Sequence, residues 1–196
     1  MMKEKDTVIR FTGIGGQGIL FAGKMLAEAA LAAGIHPCFA PSYGAEKRGG
    51  PSECTVILSH GEFPSPCVNR SHAAVVMNEA SFSREEQRLA EGGIIVVNSS
   101  VCGDVKPSRA DIALFLVPAS DLAQKLENDR VANTVIAGAL VELLGTRVRL
   151  DQDHLVQGLK ETLAGKDNLL AINMKALSCG QEYARALAPK LQNQAE

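Results

Sequence analysis

Six apolar runs punctuate this chain, at Val8–Thr12, Ile35–Ala40, Cys54–Ser59, Ala73–Met77, Ile94–Asn98 and Ile112–Val117. Most are continuous rather than alternating, as strands buried on both faces of a parallel sheet read. Between and after them lie segments of helical composition: Gln17–Ala33, Ser81–Glu91, Ser120–Asn128, Val131–Leu144, Gln152–Leu163 and Asn168–Leu187. Gly34, Gly92, Gly145 and Gly165 stand where helix C-caps are expected, and Ser120, Asp151 and Asp167 where N-caps are. The alternation predicts a single-domain α/β fold, a three-layer αβα sandwich with a mainly parallel, Rossmann-like sheet. One domain over 1–196 is expected, with a core at about 7–166 and closing helices over 152–187. The polar end, Lys190–Glu196, is expected to fray.

Three places break the pattern. The first is Gly13-Ile14-Gly15-Gly16-Gln17-Gly18, between a strand and a helix. Gly13, Gly15 and Gly18 fit G-x-G-x-x-G, in which glycines permit a tight turn and a helix N-terminus offers free N–H groups to an anion. That fingerprint also expects an acidic residue at the tip of the next strand, for ribose hydroxyls. Here that strand ends in Ala40-Pro41-Ser42, and Glu28 comes too early, on the helix. A free-standing dinucleotide site is therefore incomplete, and the glycines can equally serve helix–sheet packing. The second place is Pro41–Glu53, with four charges, a tyrosine and three glycines. It is too long for a tight hairpin, too polar for a core, and expected as a ligand or partner loop at the sheet edge. The third is Asn78, at the end of a strand, which can bond a ligand or cap the Ser81 helix. Asn98–Gly103 reads as ordinary turn chemistry.

Composition narrows the function by exclusion. The 196 residues suit one core; 46% are hydrophobic and 21% charged. Twenty basic against 22 acidic residues, net −2, and 4% aromatics without tryptophan argue against a nucleic-acid binder. Cys38, Cys54, Cys67, Cys102 and Cys179 form no C-x-x-C, so no metal or iron–sulfur signature is present and mostly buried, reduced thiols in a cytoplasmic protein are expected. His36, His60, His72 and His154 have no metal-ligand spacing. The glycine turn continues as Gly18-Ile19-Leu20 rather than the Gly-Lys-Ser/Thr of a phosphate loop. The charged start, Met1–Asp6, leads straight into a strand rather than a signal peptide's apolar core, and no apolar run is long enough to cross a membrane. The residues alone present no complete catalytic constellation.

Two motifs together are more specific than either. Gly13–Leu20 followed by Ser42-Tyr43-Gly44-Ala45-Glu46-Lys47-Arg48-Gly49-Gly50 resembles the gamma subunit of 2-oxoacid:ferredoxin oxidoreductases, the pyruvate, 2-oxoisovalerate and 2-oxoglutarate synthases. Cys54–Ser59, Val75–Asn78 and the helix beginning Asn133-Thr134 add to the likeness. Ala45 stands where many members have proline, and Tyr43-Gly44 is unlike the approach to Arg-Gly-Gly in indolepyruvate members. The resemblance implies a subunit of an enzyme that oxidatively decarboxylates a 2-oxoacid with coenzyme A to acyl-CoA and CO2, reducing ferredoxin. It implies no firmly bound cofactor and no catalytic residue on this chain. Thiamine diphosphate, Mg2+ and iron–sulfur clusters would lie in partners: alpha and beta thiamine-binding subunits, with a ferredoxin-like delta subunit left open. Tyr43, Glu46, Arg48, Gly49, Gly50 and Asn78 become candidates for substrate, coenzyme A or interface contacts, beside the Gly13, Gly15, Gly16, Gln17 and Gly18 turn. A free-standing nucleotide-binding oxidoreductase and a non-catalytic assembly module are the alternatives.

Overall fold

The computed structural model describes residues 6–43 and 49–192. The order is β1 (Asp6–Ile14), α1 (Ile19–Ala32), β2 (His36–Tyr43), β3 (Pro51–Ser59), β4 (Ser71–Val76), α2 (Phe82–Arg88), β5 (Leu89–Asn98), α3 (Ser99–Cys102), β6 (Ala113–Val117), α4 (Ala119–Lys125), α5 (Ala132–Leu144), α6 (Gln152–Thr162) and α7 (Leu170–Gln192). The six strands form one sheet in the order β2-β3-β1-β4-β5-β6. β1, β4, β5 and β6 pair in parallel, whereas β3 runs antiparallel to both β1 and β2. β2 is thus parallel to β1 but separated from it by β3, which enters through the hairpin. That insertion decides the site, because it seats the hairpin beside the end of β1.

One face of the sheet packs on α1, α5 and α7, and α6 packs on α1. Helix α5 is buried from Ala132 to Val141, and its polar Asn133 and Thr134 are hydrogen-bonded inside the core. Glycines set how closely these layers approach. At Gly23 on α1 an added Cβ would lie 2.4 Å from Cys54 Sγ, and at Gly158 on α6 it would lie 2.5 Å from Met25 O of α1. The second face is smaller. There Ala74, Val76, Ile95 and Val97 pack with Phe82, Leu89 and Cys102 under α2 and α3.

Several local expectations change. The second helix ends at Arg88, not Glu91, because Leu89 is already extended and opens β5. Gly92 is therefore no helix cap. It lies in an irregular stretch where Ser71 pairs with Leu89 and Ala73 with Ile94, so Ala90–Gly93 oppose the single residue His72. Ser120 lies inside α4, whose N-cap is Pro118. Its hydroxyl instead accepts from Asn98 Nδ2 at 2.9 Å, so Asn98, fully buried, ties β5 to α4. Asp151 caps α6 as expected, in a reciprocal box with His154. Asp167 opens a single 3-10 turn ahead of α7. The polar stretch Pro41–Glu53 is strand as far as Tyr43 and again from Pro51. The thiols are less buried than expected: Cys54 and Cys102 are buried, Cys38 and Cys179 half-buried, and Cys67 exposed. Burial pushes the Cys54 thiol up to about 12, which keeps it protonated and inert.

His72 supplies a pH-dependent contribution to this fold. Its Nδ1 accepts the Val8 N–H at 2.9 Å, which requires an unprotonated ring nitrogen. Burial, then nearby Arg147, hold its pKa below the ordinary 6.5, against a smaller opposing effect of Asp6. A depressed folded value means that the stabilisation is fully present above about pH 6.5 and is lost as pH falls through the folded pKa. Stability should fall between pH 7 and 5, and His72→Gln should flatten that slope; denaturant melts at several pH values measure both.

Candidate functional site at the glycine turn

The C-terminal ends of β1 and β4 meet the β2–β3 hairpin at one sheet edge. Gln17 holds the two strand ends together. Its Oε1 accepts the Ile14 N–H at 2.9 Å and its Nε2 donates to Met77 O at 2.9 Å. Gly13 must be glycine for this fold-back, since a Cβ there would lie 2.5 Å from Gln17 Oε1. The Gly15 N–H donates to Gly50 O at 2.8 Å, joining the glycine turn to the hairpin. Gly16 (φ 100°) and Gly49 (φ 74°) have open space on their Cα atoms. The backbone of both turns therefore remains approachable, the use for which glycine is suited.

Gly18 closes the turn at φ 72° as the N-cap of α1. Its carbonyl accepts the Ala22 N–H at 3.1 Å and Asn133 Nδ2 at 3.0 Å. Asn133 Oδ1 accepts the Thr134 N–H at 2.9 Å, the Thr134 hydroxyl donates to Asn173 Oδ1 at 2.7 Å, and Asn173 Nδ2 donates to Leu169 O at 2.9 Å. A buried polar chain thus anchors the turn to α5 and α7. Behind it opens a cavity of about 610 Å³ whose wall includes Phe21, Asn133 and Ile172.

Among the expected site residues, Gly49, Gly50 and the glycine turn come together. Asn78 stands one residue beyond Met77, whose carbonyl Gln17 holds. It does not cap the following helix with its side chain; its backbone carbonyl accepts the Ser81 N–H at 3.2 Å. Its Oδ1 is buried and has no hydrogen-bond partner among the described residues. Tyr43 ends β2, paired with Ser52. Glu46 and Arg48 lie outside the described residues. Among the described residues no group of three or more His, Cys, Asp or Glu is placed to hold a metal, and no helix is long and apolar enough to cross a membrane.

The sequence profile of the pyruvate ferredoxin/flavodoxin oxidoreductase family matches residues 8–183. The chain belongs to this family. Its likeness extends to the ketoisovalerate oxidoreductase subunit VorA of Methanothermobacter thermautotrophicus, 36% identical over 177 residues, covering 90% of this chain and 36% of that protein. Among solved structures, the gamma subunit of a keto/oxoacid ferredoxin oxidoreductase from Geobacter sulfurreducens superposes with a TM-score of 0.76 at 28% identity, covering 92% of this chain and 99% of that one. The 2-oxoglutarate:ferredoxin oxidoreductase of Magnetococcus marinus shares the fold, with a TM-score of 0.83 at 24% identity over 94% of this chain and 32% of that chain. The chain thus spans about a third of the length of the VorA and Magnetococcus proteins.

For this member of the pyruvate ferredoxin/flavodoxin oxidoreductase family, sequence reasoning missed two groups at the edge. Asn133 was visible only as part of a family-like helix start; its hold on Gly18 needed α5 to pass beside α1. Glu53 and Thr12, opposite one another in β3 and β1, both bond Arg84 of α2, and Glu53 also pairs with Arg88 at 3.7 Å. Thr12 closed an apolar run and Glu53 closed the polar Pro41–Glu53 stretch, and neither position by itself pointed to Arg84.

Proposed function

We propose that this chain is the gamma subunit of a multisubunit 2-oxoacid:ferredoxin oxidoreductase. In that assembly thiamine-binding partners, supplying thiamine diphosphate and Mg2+ and working with iron–sulfur proteins, oxidatively decarboxylate a 2-oxoacid with coenzyme A and pass electrons to ferredoxin. This chain completes the surround of the active site and the assembly, and is inactive by itself. The observation that carries the reading is the junction of the glycine turn with the Gly49-Gly50 hairpin, joined by the Gly15–Gly50 hydrogen bond within a family-matched fold.

The chemistry follows from the groups at that edge. Tyr43, Glu46 and Arg48 are among the polar residues of the sequence between β2 and β3, and Gly49 and Gly50 admit a close backbone approach. Arg48 is suited to a bidentate pair with a 2-oxoacid carboxylate, a coenzyme A phosphate or a partner's carboxylate. Arg48→Ala in the assembled enzyme is expected to lower kcat/KM for coenzyme A about tenfold or more, as loss of a charge-assisted bond does. Coenzyme A-dependent viologen reduction measures it; unchanged turnover, coenzyme A affinity and subunit association together would refute the role.

A further inference from the structure

Two side chains fix the strand ends that carry the candidate site. Gln17 acts within the glycine turn itself, bonding Ile14 and Met77. Arg84 acts from α2, on the second face of the sheet. Its Nη2 donates to Thr12 Oγ1 at 3.2 Å and to Glu53 Oε1, and its Nε donates to Glu85 Oε1 at 3.1 Å. Thr12 and Glu53 stand opposite one another in β1 and β3. Thr12 directly precedes Gly13, and Glu53 follows Gly50 by three residues. The Thr12 carbonyl also accepts the Met77 N–H at 2.9 Å, so the ends of β1, β3 and β4 meet at this one residue.

Arg88, one turn along α2, is the natural comparison. It donates to Glu85 Oε1 at 3.3 Å and lies 3.7 Å from Glu53 Oε2. Its side chain is 39% exposed, against 43% for Arg84. The two arginines therefore share both carboxylates and a similar exposure. Among the described residues, however, only Arg84 bonds the buried Thr12 hydroxyl. A planar guanidinium with several fixed donors holds a hydroxyl and two carboxylates at once, whereas a lysine ammonium is a point charge.

Resting on the gamma-subunit reading, we propose that Arg84 is a positioning residue for the binding of coenzyme A. It acts through Thr12 and Glu53 rather than by touching the cosubstrate. By tying these two residues together it sets how the strand leading into Gly13–Gly18 lies against the strand that follows Gly49-Gly50. The Gly15–Gly50 hydrogen bond depends on that spacing. Without the clasp the two glycine segments can part, and the backbone surface that receives the cosubstrate is no longer preformed.

The experiment uses the assembled enzyme, with coenzyme A-dependent viologen reduction as the assay and thermal melts of each variant beside it. Arg84→Ala is expected to raise KM for coenzyme A about tenfold with kcat within about twofold of wild type, the pattern of lost binding rather than lost chemistry. Thr12→Val, nearly isosteric but without the acceptor, should raise KM severalfold, and the double variant should be no worse than Arg84→Ala alone. Arg88→Ala loses contacts to the same two carboxylates, and should lower Tm to a similar extent while leaving KM unchanged. Equal rises in KM for Arg84→Ala and Arg88→Ala would overturn the proposal, because the cluster would then only stabilise the fold. Strict additivity of the Arg84 and Thr12 variants would overturn it too. So would an unchanged KM in Arg84→Ala, or in Thr12→Val should Arg84→Ala fail to assemble. A wild-type chain that isolates without thiamine-binding subunits would instead refute the gamma-subunit reading itself.

Discussion

Gly180→Ala is expected to lower the stability of this chain by about 3 kcal/mol or more, at the upper end of what overpacking a core does. Helices α5 and α7 cross with backbone almost on backbone. A Cβ at Gly180 would lie 1.8 Å from Val135 O and 3.0 Å from Ala139 N, and one at Gly138 would lie 2.2 Å from Leu177 O. These are reciprocal contacts with main-chain atoms, so no flexible side chain can move aside. The helix itself would gain about 1 kcal/mol from alanine, and the clash outweighs that gain. For a chain of this length the loss corresponds to a fall in Tm of roughly 10 °C. Gly165→Ala is the control: φ is 80°, but nothing lies within 4 Å of the added methyl, so only backbone strain of about 1 kcal/mol is expected. Thermal melts of the two variants separate packing from strain. Equal losses would show that α5 and α7 can part without penalty.

Gly18→Ala should produce the second large effect, and its origin can be isolated. Two causes add at this position. Alanine is strained at φ 72°, at about 1 kcal/mol, and its methyl would meet Asn133 Nδ2 at 2.2 Å. Displacing Asn133 breaks its bond to Gly18 O and disturbs the chain through Thr134 and Asn173 to Leu169. Together these costs are about 3 kcal/mol. Asn133→Ala alone should cost about 2 kcal/mol, by removing a buried hydrogen bond and opening a small void. In the double variant the clash is gone, so the combined loss should fall short of the sum by about 1–2 kcal/mol. Strict additivity would mean that Asn133 does not brace the turn. Because the turn also carries the Gly15–Gly50 bond, activity of the assembled complex should fall with the same non-additivity.

Legibility in the sequence followed the range of each interaction. The six strands were marked by apolar runs, most of them continuous, because burial of the central strands on both faces leaves no room for polar alternation. Asp151 declared the start of α6 because a cap acts within three residues. The Ala90–Gly93 stretch was read as the tail of a helix and a C-cap. Its glycines instead serve an irregular pairing in which four residues oppose one, a matter of two strands together.

The site divides the same way. Local spacing picked out the Gly13–Gly18 turn and the glycine-containing Ser42–Gly50 stretch, because glycine patterns are demanded by the backbone of a turn itself. That the two touch followed from β3 slipping between β2 and β1, a choice of strand pairing with partners some 40 residues apart. The hold of Asn133 on Gly18 spans 115 residues. Arg84's bonds to Glu53 and Thr12 join three separate elements.

By itself the sequence determined the fold class, the glycine turn and the family, because burial periodicity, turn chemistry and paired short motifs are properties of neighbouring residues. Only the tertiary structure decided which strand inserts beside β1 and which polar groups brace the turn. Those outcomes depend on how surfaces far apart in the chain complement one another, and no local pattern carries that information.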